Sequence, residues 1–320
     1  MLEYLLLGGG FIILIGGAEF LVNGASSLAR RLCISDLVIG LTIVAFGTSA
    51  PELVVNIFAS INGNTGIAIG NVLGSNIFNI LVILGISSLI YPLTVTENTI
   101  RKEIPLTLIS VVVLAVLANN IFQGNPENQL TRIDGLTLLG FFLLFLVYVL
   151  EIAKNKRAEP TETTEIKKKS LFYSSLLIII GFCGIIVGGN LVVSGAVQLA
   201  RSLGASESLI GLTLVAAGTS LPELATSAVA ACKKNTDIAV GNIIGSNIFN
   251  ILFILGVSAT VRSLPFKGGS NLDIGMVIFS TLLLFRFMVT GGKKNTVERW
   301  EGAVLLIIYF VYLGYIVFRG

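Results

Sequence analysis

Two short stretches of this sequence place oxygen-rich chemistry where apolar chain is expected. Residues 39–53 read IGLTIVAFGTSAPEL and residues 210–224 read IGLTLVAAGTSLPEL, identical at twelve of fifteen positions. In the first, Pro51 has no amide hydrogen, so the carbonyl of Gly47 loses its helical donor and the chain breaks there. Such freed backbone at membrane depth survives only when it is buried in protein or lines a wet cavity. Thr48 and Ser49 add hydroxyl oxygens at the break, and Glu52 opens the next half-helix with a carboxylate. Thr219, Ser220, Pro222 and Glu223 supply the same set again. Carbonyl, hydroxyl and carboxylate oxygens within one turn suit hard cations such as Ca2+ and Na+, and Ca2+ takes about 6–8 oxygens. A charged residue at the centre of a span costs about 2.5–3.5 kcal/mol or more on insertion scales. Two carboxylates at one site also repel, so without cations at least one should gain a proton. One Ca2+ or two Na+ balances both charges, which is a physical basis for competition between the ions.

A second repeated element reads Gly70-Asn71-x-x-Gly74-Ser75-Asn76-Ile77-Phe78-Asn79, with its counterpart at Gly241-Asn242-x-x-Gly245-Ser246-Asn247-Ile248-Phe249-Asn250. Ser75 and Asn79 are four apart, hence on one helical face, and Asn71 extends that stripe by a turn. Small and polar residues of this kind let membrane helices approach and hydrogen-bond, and that reading suits Gly70, Gly74, Gly241 and Gly245. Ser75, Asn79, Ser246 and Asn250 are grouped with the intramembrane glutamates and are expected to coordinate cations. For Asn71, Asn76, Asn242 and Asn247 both readings stand open. Glu19 aligns with Asn190, so its charge is not kept by the repeat; an entry pathway and a structural pairing are both open to it. Trp300 and the C-terminal tyrosines fit interfacial anchors.

The elements that must carry these residues follow from composition. The chain has 320 residues, 54% hydrophobic and only 12% charged, with a mean hydropathy of +0.91, far too apolar for a soluble domain of that size. Ten stretches reach the roughly 20 apolar residues that a spanning helix needs, at 4–29, 36–60, 67–92, 103–122, 133–152, 171–200, 207–232, 238–262, 272–290 and 299–318. The first has no basic n-region and is expected to be retained rather than cleaved. Histidine is absent, which removes the usual zinc ligand and general base. Cys33, Cys183 and Cys232 are widely spaced and form no CxxC pair; they are expected to be small packing residues.

Shifting the chain by 171 residues also superposes 17–25 on 188–196 and 67–87 on 238–258. The sequence is therefore a tandem repeat, with a first five-helix unit at 1–155, a linker at 156–170 and a second five-helix unit at 171–320. An odd number of spans per unit forces the second to enter the membrane from the opposite side, an inverted-topology repeat. The predicted fold class is an all-α polytopic membrane protein of ten transmembrane helices. The positive-inside rule agrees: with the first span starting outside, sixteen Lys and Arg fall on one side and five on the other. That places both termini outside, with the charged connector at 153–170 in the cytoplasm, too short to house a calcium-sensing domain.

At GTSAPEL, GTSLPEL and the two GNxxGSNIFN stretches, the sequence closely resembles the sodium/calcium exchangers of the cation/calcium antiporter superfamily, whose duplicated motifs are called α-repeats. The likeness runs through both halves. It implies exchange of Ca2+ against Na+ across the cell membrane by alternating access, with four cation sites between the second, third, seventh and eighth spans. Carried over by position, Glu52 and Glu223 with the backbone oxygens of Thr48 and Thr219 hold Ca2+. One flanking sodium site uses the Ala45 carbonyl, Thr48, Ser49, Ser75 and Glu52. The other uses the Ala216 carbonyl, Thr219, Ser220, Ser246 and Glu223. Asn79 and Asn250 fall at the central position. The resemblance further implies that the long first and sixth spans slide across a more static bundle, their glycines (Gly16, Gly17, Gly24, Gly188, Gly189, Gly195) suiting close approach. Many family members carry aspartate where this chain has Asn250, so the centre has two formal negative charges rather than three. The short linker resembles the minimal prokaryotic form.

The nearest alternative is a Ca2+/H+ antiporter of the same fold, because paired glutamates can carry protons; the serines and threonines favour sodium, which needs neutral oxygens. A serine hydrolase using Ser49 or Ser220 lacks a base in the matching spans, and a channel does not need broken helices in an inverted repeat. The chain is thus not expected to be an enzyme. Its expected partners are Ca2+, Na+ and the lipid bilayer, with H+ and other divalent cations open, and with no cofactor, nucleic acid or obligate protein partner.

Overall fold

A computed structural model describes residues 2–119, 128–155, 170–203, 216–266 and 268–319. The chain runs through α1 (Leu2–Leu32), α2 (Asp36–Thr48), α3 (Ala50–Ile61) and α4 (Thr65–Ile90). It continues through α5 (Ile104–Ala118), α6 (Arg132–Asn155), α7 (Leu171–Ser202) and α8 (Ala216–Gly218). The last four are α9 (Leu221–Cys232), α10 (Thr236–Val261), α11 (Gly268–Thr290) and α12 (Arg299–Arg319).

Seven of these helices, α1, α4, α6, α7, α10, α11 and α12, are long and apolar enough to cross a membrane, and the pair α2 and α3 makes eight when read as one broken span. Of the ten expected spans, 103–122 is represented by α5 together with the wider turn Thr99–Glu103 before it. The first part of 207–232, including residues 210–215 of the repeated motif, lies outside the described residues, as does most of the linker.

The break between α2 and α3 bends the chain by 46°. Its cause is the local sequence: Ser49 leaves the helical well (φ −84°, ψ 6°) and Pro51 occupies the first turn of α3, where a missing amide hydrogen does no harm. Ser220 (φ −90°, ψ 4°) and Pro222 repeat the arrangement at the start of α9. Three helices also widen to π-type turns, at Gly40–Val44 in α2, Asn79–Ile83 in α4 and Phe249–Ile254 in α10. Such widenings recur at functional sites, and two of them coincide with the second repeated motif.

Packing is layered from the centre outward. The apolar stretch of α10 is 94% buried and that of α4 67%, against 17% for α12 and 22% for α6. The outer faces of α6 and α12 present Leu143, Leu144, Val147, Ile307, Phe310 and Val311 to the surroundings, the pattern of side chains that meet lipid. At the periphery α1 and α7 pack antiparallel along their length. Gly17 lies against Ile185, Gly24 against Ile178, Gly188 against Leu14 and Gly195 against Leu7, so closely that a β-carbon on Gly188 would collide with the Leu14 backbone. Gly16 and Gly189 take no part in this seam and have open space beside them. Ser174 donates to Ser27 at 2.8 Å across it.

Two short antiparallel ribbons close the connections. The strand β1 (Leu93–Thr94) pairs with β4 (Thr296–Val297), and β2 (Gln129–Leu130) pairs with β3 (Leu264–Pro265). Their backbone donors thus find partners in loops far apart in sequence. The three cysteines correct the packing expectation: Cys33, Cys183 and Cys232 are free and exposed. Cys183 lies in mid-helix on an apolar outer face, where a small apolar residue fits as readily as in the interior, whereas Cys33 and Cys232 lie at helix ends beside basic residues.

Candidate cation site

The two breaks and the two asparagine-rich helices converge. Glu52 and Glu223 are each 1% exposed, and Ser49, Ser220, Thr48, Ser75, Ser246, Asn79, Asn250 and Ala45 are all buried beside them. Thr219 is half-buried and Ala216 opens α8. Every expected site residue that the structure describes in side-chain detail therefore reaches one buried region.

Its bonds run both across and within the halves. Ser49 donates to Glu223 Oε1 at 2.7 Å, and Ser220 to Glu52 Oε1 at 3.3 Å. Ser75 lies 3.4 Å from the same Glu52 oxygen and 3.1 Å from Ser220 Oγ, while Ser246 lies 3.5 Å from Glu223 Oε1. Thr48 donates to Asn242 Oδ1 at 3.1 Å, and Thr219 to Asn71 Oδ1 at 3.4 Å. Asn79 Nδ2 donates to Asn247 Oδ1 at 2.9 Å and Asn250 Nδ2 to Asn76 Oδ1 at 3.1 Å. The Ala45 carbonyl accepts from the Ser49 amide at 3.0 Å and lies 3.3 Å from Thr48 Oγ1, whose one proton it shares with Asn242 as an alternative acceptor.

Among the described residues, four oxygens of the expected site residues, Glu52 Oε2, Glu223 Oε2, Asn79 Oδ1 and Asn250 Oδ1, belong to the ten buried side-chain oxygens that make no hydrogen bond. Neither glutamate has a Lys or Arg in ion-pair contact among the described residues. Buried acceptors without donors, and buried carboxylates without cationic side chains, call for a positive ligand. No group of three or more His, Cys, Asp and Glu capable of holding a metal occurs among the described residues. The donor set is instead two carboxylates completed by neutral oxygens, which suits hard cations that come and go.

Asn71 and Asn242, for which two readings stood open, act here as acceptors for the threonines of the opposite half. Glu19 is paired: Lys233 Nζ lies 3.0 Å from its Oε1 and 2.8 Å from Asn23 Oδ1. Sequence reasoning missed Asn56 and Ser227. Asn56 Oδ1 accepts from Asn71 at 2.7 Å while its Nδ2 donates to the Ala68 carbonyl at 2.9 Å. Ser227 accepts from Asn242 at 3.0 Å and faces the Ala239 carbonyl at 3.3 Å. The signal was available, since both sit four residues after a glutamate, on its helical face, and both pairs obey the 171-residue shift.

Comparison with known proteins agrees with this construction. The profile of the family described as sodium/calcium exchanger protein matches residues 2–151 and 173–318. A putative antiporter, CaxA, of Alkalimonas amylolytica is 39% identical over 309 residues, covering 95% of each chain. The sodium/calcium exchanger MaX1 of Methanosarcina acetivorans is 31% identical over 97% of each chain. Among solved structures, the sodium-calcium exchanger NCX_Mj soaked with 10 mM Na+ and no Ca2+ superposes with a TM-score of 0.83 at 35% identity, covering 98% of both chains. With membrane-length apolar helices, an oxygen-lined break and a full-length match at this level, the chain belongs to the sodium/calcium exchanger family.

Proposed function

We propose that this protein moves Ca2+ across the cell membrane in exchange for Na+ by alternating access, using ten spanning helices arranged as two inverted five-helix repeats. The observation that carries the site is the pair of buried glutamates, each bonded by a serine of the opposite half (Ser220 to Glu52, Ser49 to Glu223) and each keeping one oxygen, Oε2, without a partner among the described residues. Ca2+ sits between the glutamates with the Thr48 and Thr219 carbonyls. Sodium takes the flanking positions formed by Ala45, Thr48, Ser49, Ser75 and Glu52, and by Ala216, Thr219, Ser220, Ser246 and Glu223. The serine hydroxyls that now donate to the carboxylates turn their lone pairs to an arriving ion, so loading and emptying exchange one set of bonds for another. The inverted arrangement is supported by the antiparallel packing of α1 on α7, which correspond under the repeat, and by the reciprocal bonding of Thr48 with Asn242 and Thr219 with Asn71. Both termini lie outside and the linker lies in the cytoplasm, following the sixteen-to-five sorting of basic residues.

The test is 45Ca2+ uptake into proteoliposomes preloaded with sodium, compared under an outward sodium gradient, an outward proton gradient and no gradient. Uptake driven by sodium alone is expected. Uptake driven only by protons would assign the glutamates as proton carriers and the protein to Ca2+/H+ exchange.

A further inference from the structure

An asparagine side chain presents two faces of nearly the same shape, one an acceptor and one a pair of donors. At a cation site only the acceptor face is useful, because an N–H turned toward the ion is repelled. Something must therefore choose the face. Asn79 Nδ2 is drawn off by Asn247 Oδ1 at 2.9 Å, and Asn250 Nδ2 by Asn76 Oδ1 at 3.1 Å. The oxygens of Asn79 and Asn250 are what remain, buried and unpartnered. We propose that Asn76 and Asn247 are positioning residues that set the polarity of the central amide ligands, each acting on the asparagine of the opposite half. The inference rests on reading Asn79 and Asn250 as cation ligands.

The choice has to be anchored in turn, since rotating either positioning amide would offer a donor to a donor. Asn76 is held by donation from its Nδ2 to the Asn247 carbonyl at 3.4 Å. Asn247 Nδ2 has no partner among the described residues. Beside Asn247 lies a cavity of about 10 Å3 lined chiefly by isoleucine and leucine side chains, with Thr107 and Thr281, so no protein group there takes up the free donor. The Asn247 arm thus has one protein bond fewer, and Asn79 is the softer of the two central ligands.

The experiment measures apparent Ca2+ affinity of the purified full-length chain from the Ca2+ dependence of its thermal unfolding, a readout that works for transport-dead variants. Asn247→Leu and Asn76→Leu are each made in three backgrounds: wild type, Asn79→Ala and Asn250→Ala. In the wild type each substitution is expected to weaken Ca2+ binding about 5- to 20-fold, with Asn76→Leu, which removes the better anchored of the two positioning amides, giving the larger loss. Asn247→Leu should add nothing when Asn79 is already alanine and its full effect when Asn250 is alanine, with the reverse for Asn76→Leu. That crossed pattern is coupling through a named partner, which a general packing role does not produce. Alanine at positions 76 and 247, which cannot overpack, repeats the series should leucine prevent folding. Unchanged affinity, or equal effects in both backgrounds, overturns the inference. Unchanged Ca2+ affinity in Glu52→Gln overturns the underlying site and this inference with it, whereas its loss beside uncrossed leucine effects overturns this inference alone.

Discussion

The centre formed by α4 and α10 and the peripheral pair formed by α1 and α7 are held by opposite kinds of contact. Between α4 and α10 the bonds join side chains at defined angles: Asn79 to Asn247, Asn250 to Asn76, and Asn76 to the Asn247 backbone. A shift of one residue along either helix breaks all three. Between α1 and α7 the contacts are backbone against backbone along a glycine seam, from Gly195 beside Leu7 to Gly24 beside Ile178, with Ser174 to Ser27 as a directed bond near one end. Dispersion contacts of this kind are individually small and tolerate displacement. The ties of α1 to the rest of the bundle gather toward the same end, where Lys233 meets Glu19 and Asn23, and Asn235 meets Ser26 at 3.0 Å. The lesson is a division of labour: directed bonds fix the register of the two central helices, while α1 and α7 meet along a seam that fixes their distance more than their register.

The most severe break is at the centre. Glu52→Gln or Glu223→Gln is expected to weaken Ca2+ binding by roughly 3 kcal/mol, more than a hundredfold, and to abolish Ca2+ flux into proteoliposomes while the unfolding temperature stays near that of the wild type. A wild-type flux in either variant would reject the assigned site. Next comes the seam. Gly188→Leu drives a side chain into Leu14 and should lower stability by about 1–3 kcal/mol, slowing maximal exchange while Ca2+ affinity, set elsewhere, holds; a fall in affinity instead would undo the division drawn above.

Smaller still is Lys233→Ala. Its partner Glu19 is 56% exposed, so the ion pair contributes about 1 kcal/mol or less, and a shift of unfolding temperature that shrinks as salt is added should be the whole effect. The mildest probe changes no residue. Cys33 and Cys232 are exposed and neighbour the basic pairs Arg30-Arg31 and Lys233-Lys234. A membrane-impermeant maleimide should label both from the cytoplasmic face, in inside-out vesicles and not in intact cells; labelling of intact cells would reverse the assigned orientation.

The parts of this molecule written as local chemistry were legible. Pro51 and Pro222 announced the breaks, Glu52 and Glu223 the buried charge, and the spacing of Ser75 to Asn79 a single face. What pairs across distance was not. Nothing near Glu19 names Lys233 as its partner, and nothing near Thr48 names Asn242, because those contacts are made only once the helices pack. The π-type turns at Asn79 and Phe249 contain no proline or glycine of their own; they arise in the apolar runs NILVI and FNILFI, whose pattern does not distinguish a π turn from an ordinary one. The cysteines were misjudged for a different reason. Burial rules learned from water-soluble proteins take apolar to mean interior; Cys183 sits instead on an apolar outer face, and Cys33 and Cys232 at helix ends.

The crossed bonds of the site have a consequence for how such a chain can change over generations. Thr48 depends on an acceptor at position 242 and Thr219 on one at position 71, so a mutation in either half is felt first in the other. Residues 1–155 alone would hold Ser49 without Glu223 and Thr48 without Asn242. The two repeats of this chain thus constrain one another most tightly at these crossed pairs. At those positions neither can be rewritten without the consent of the other.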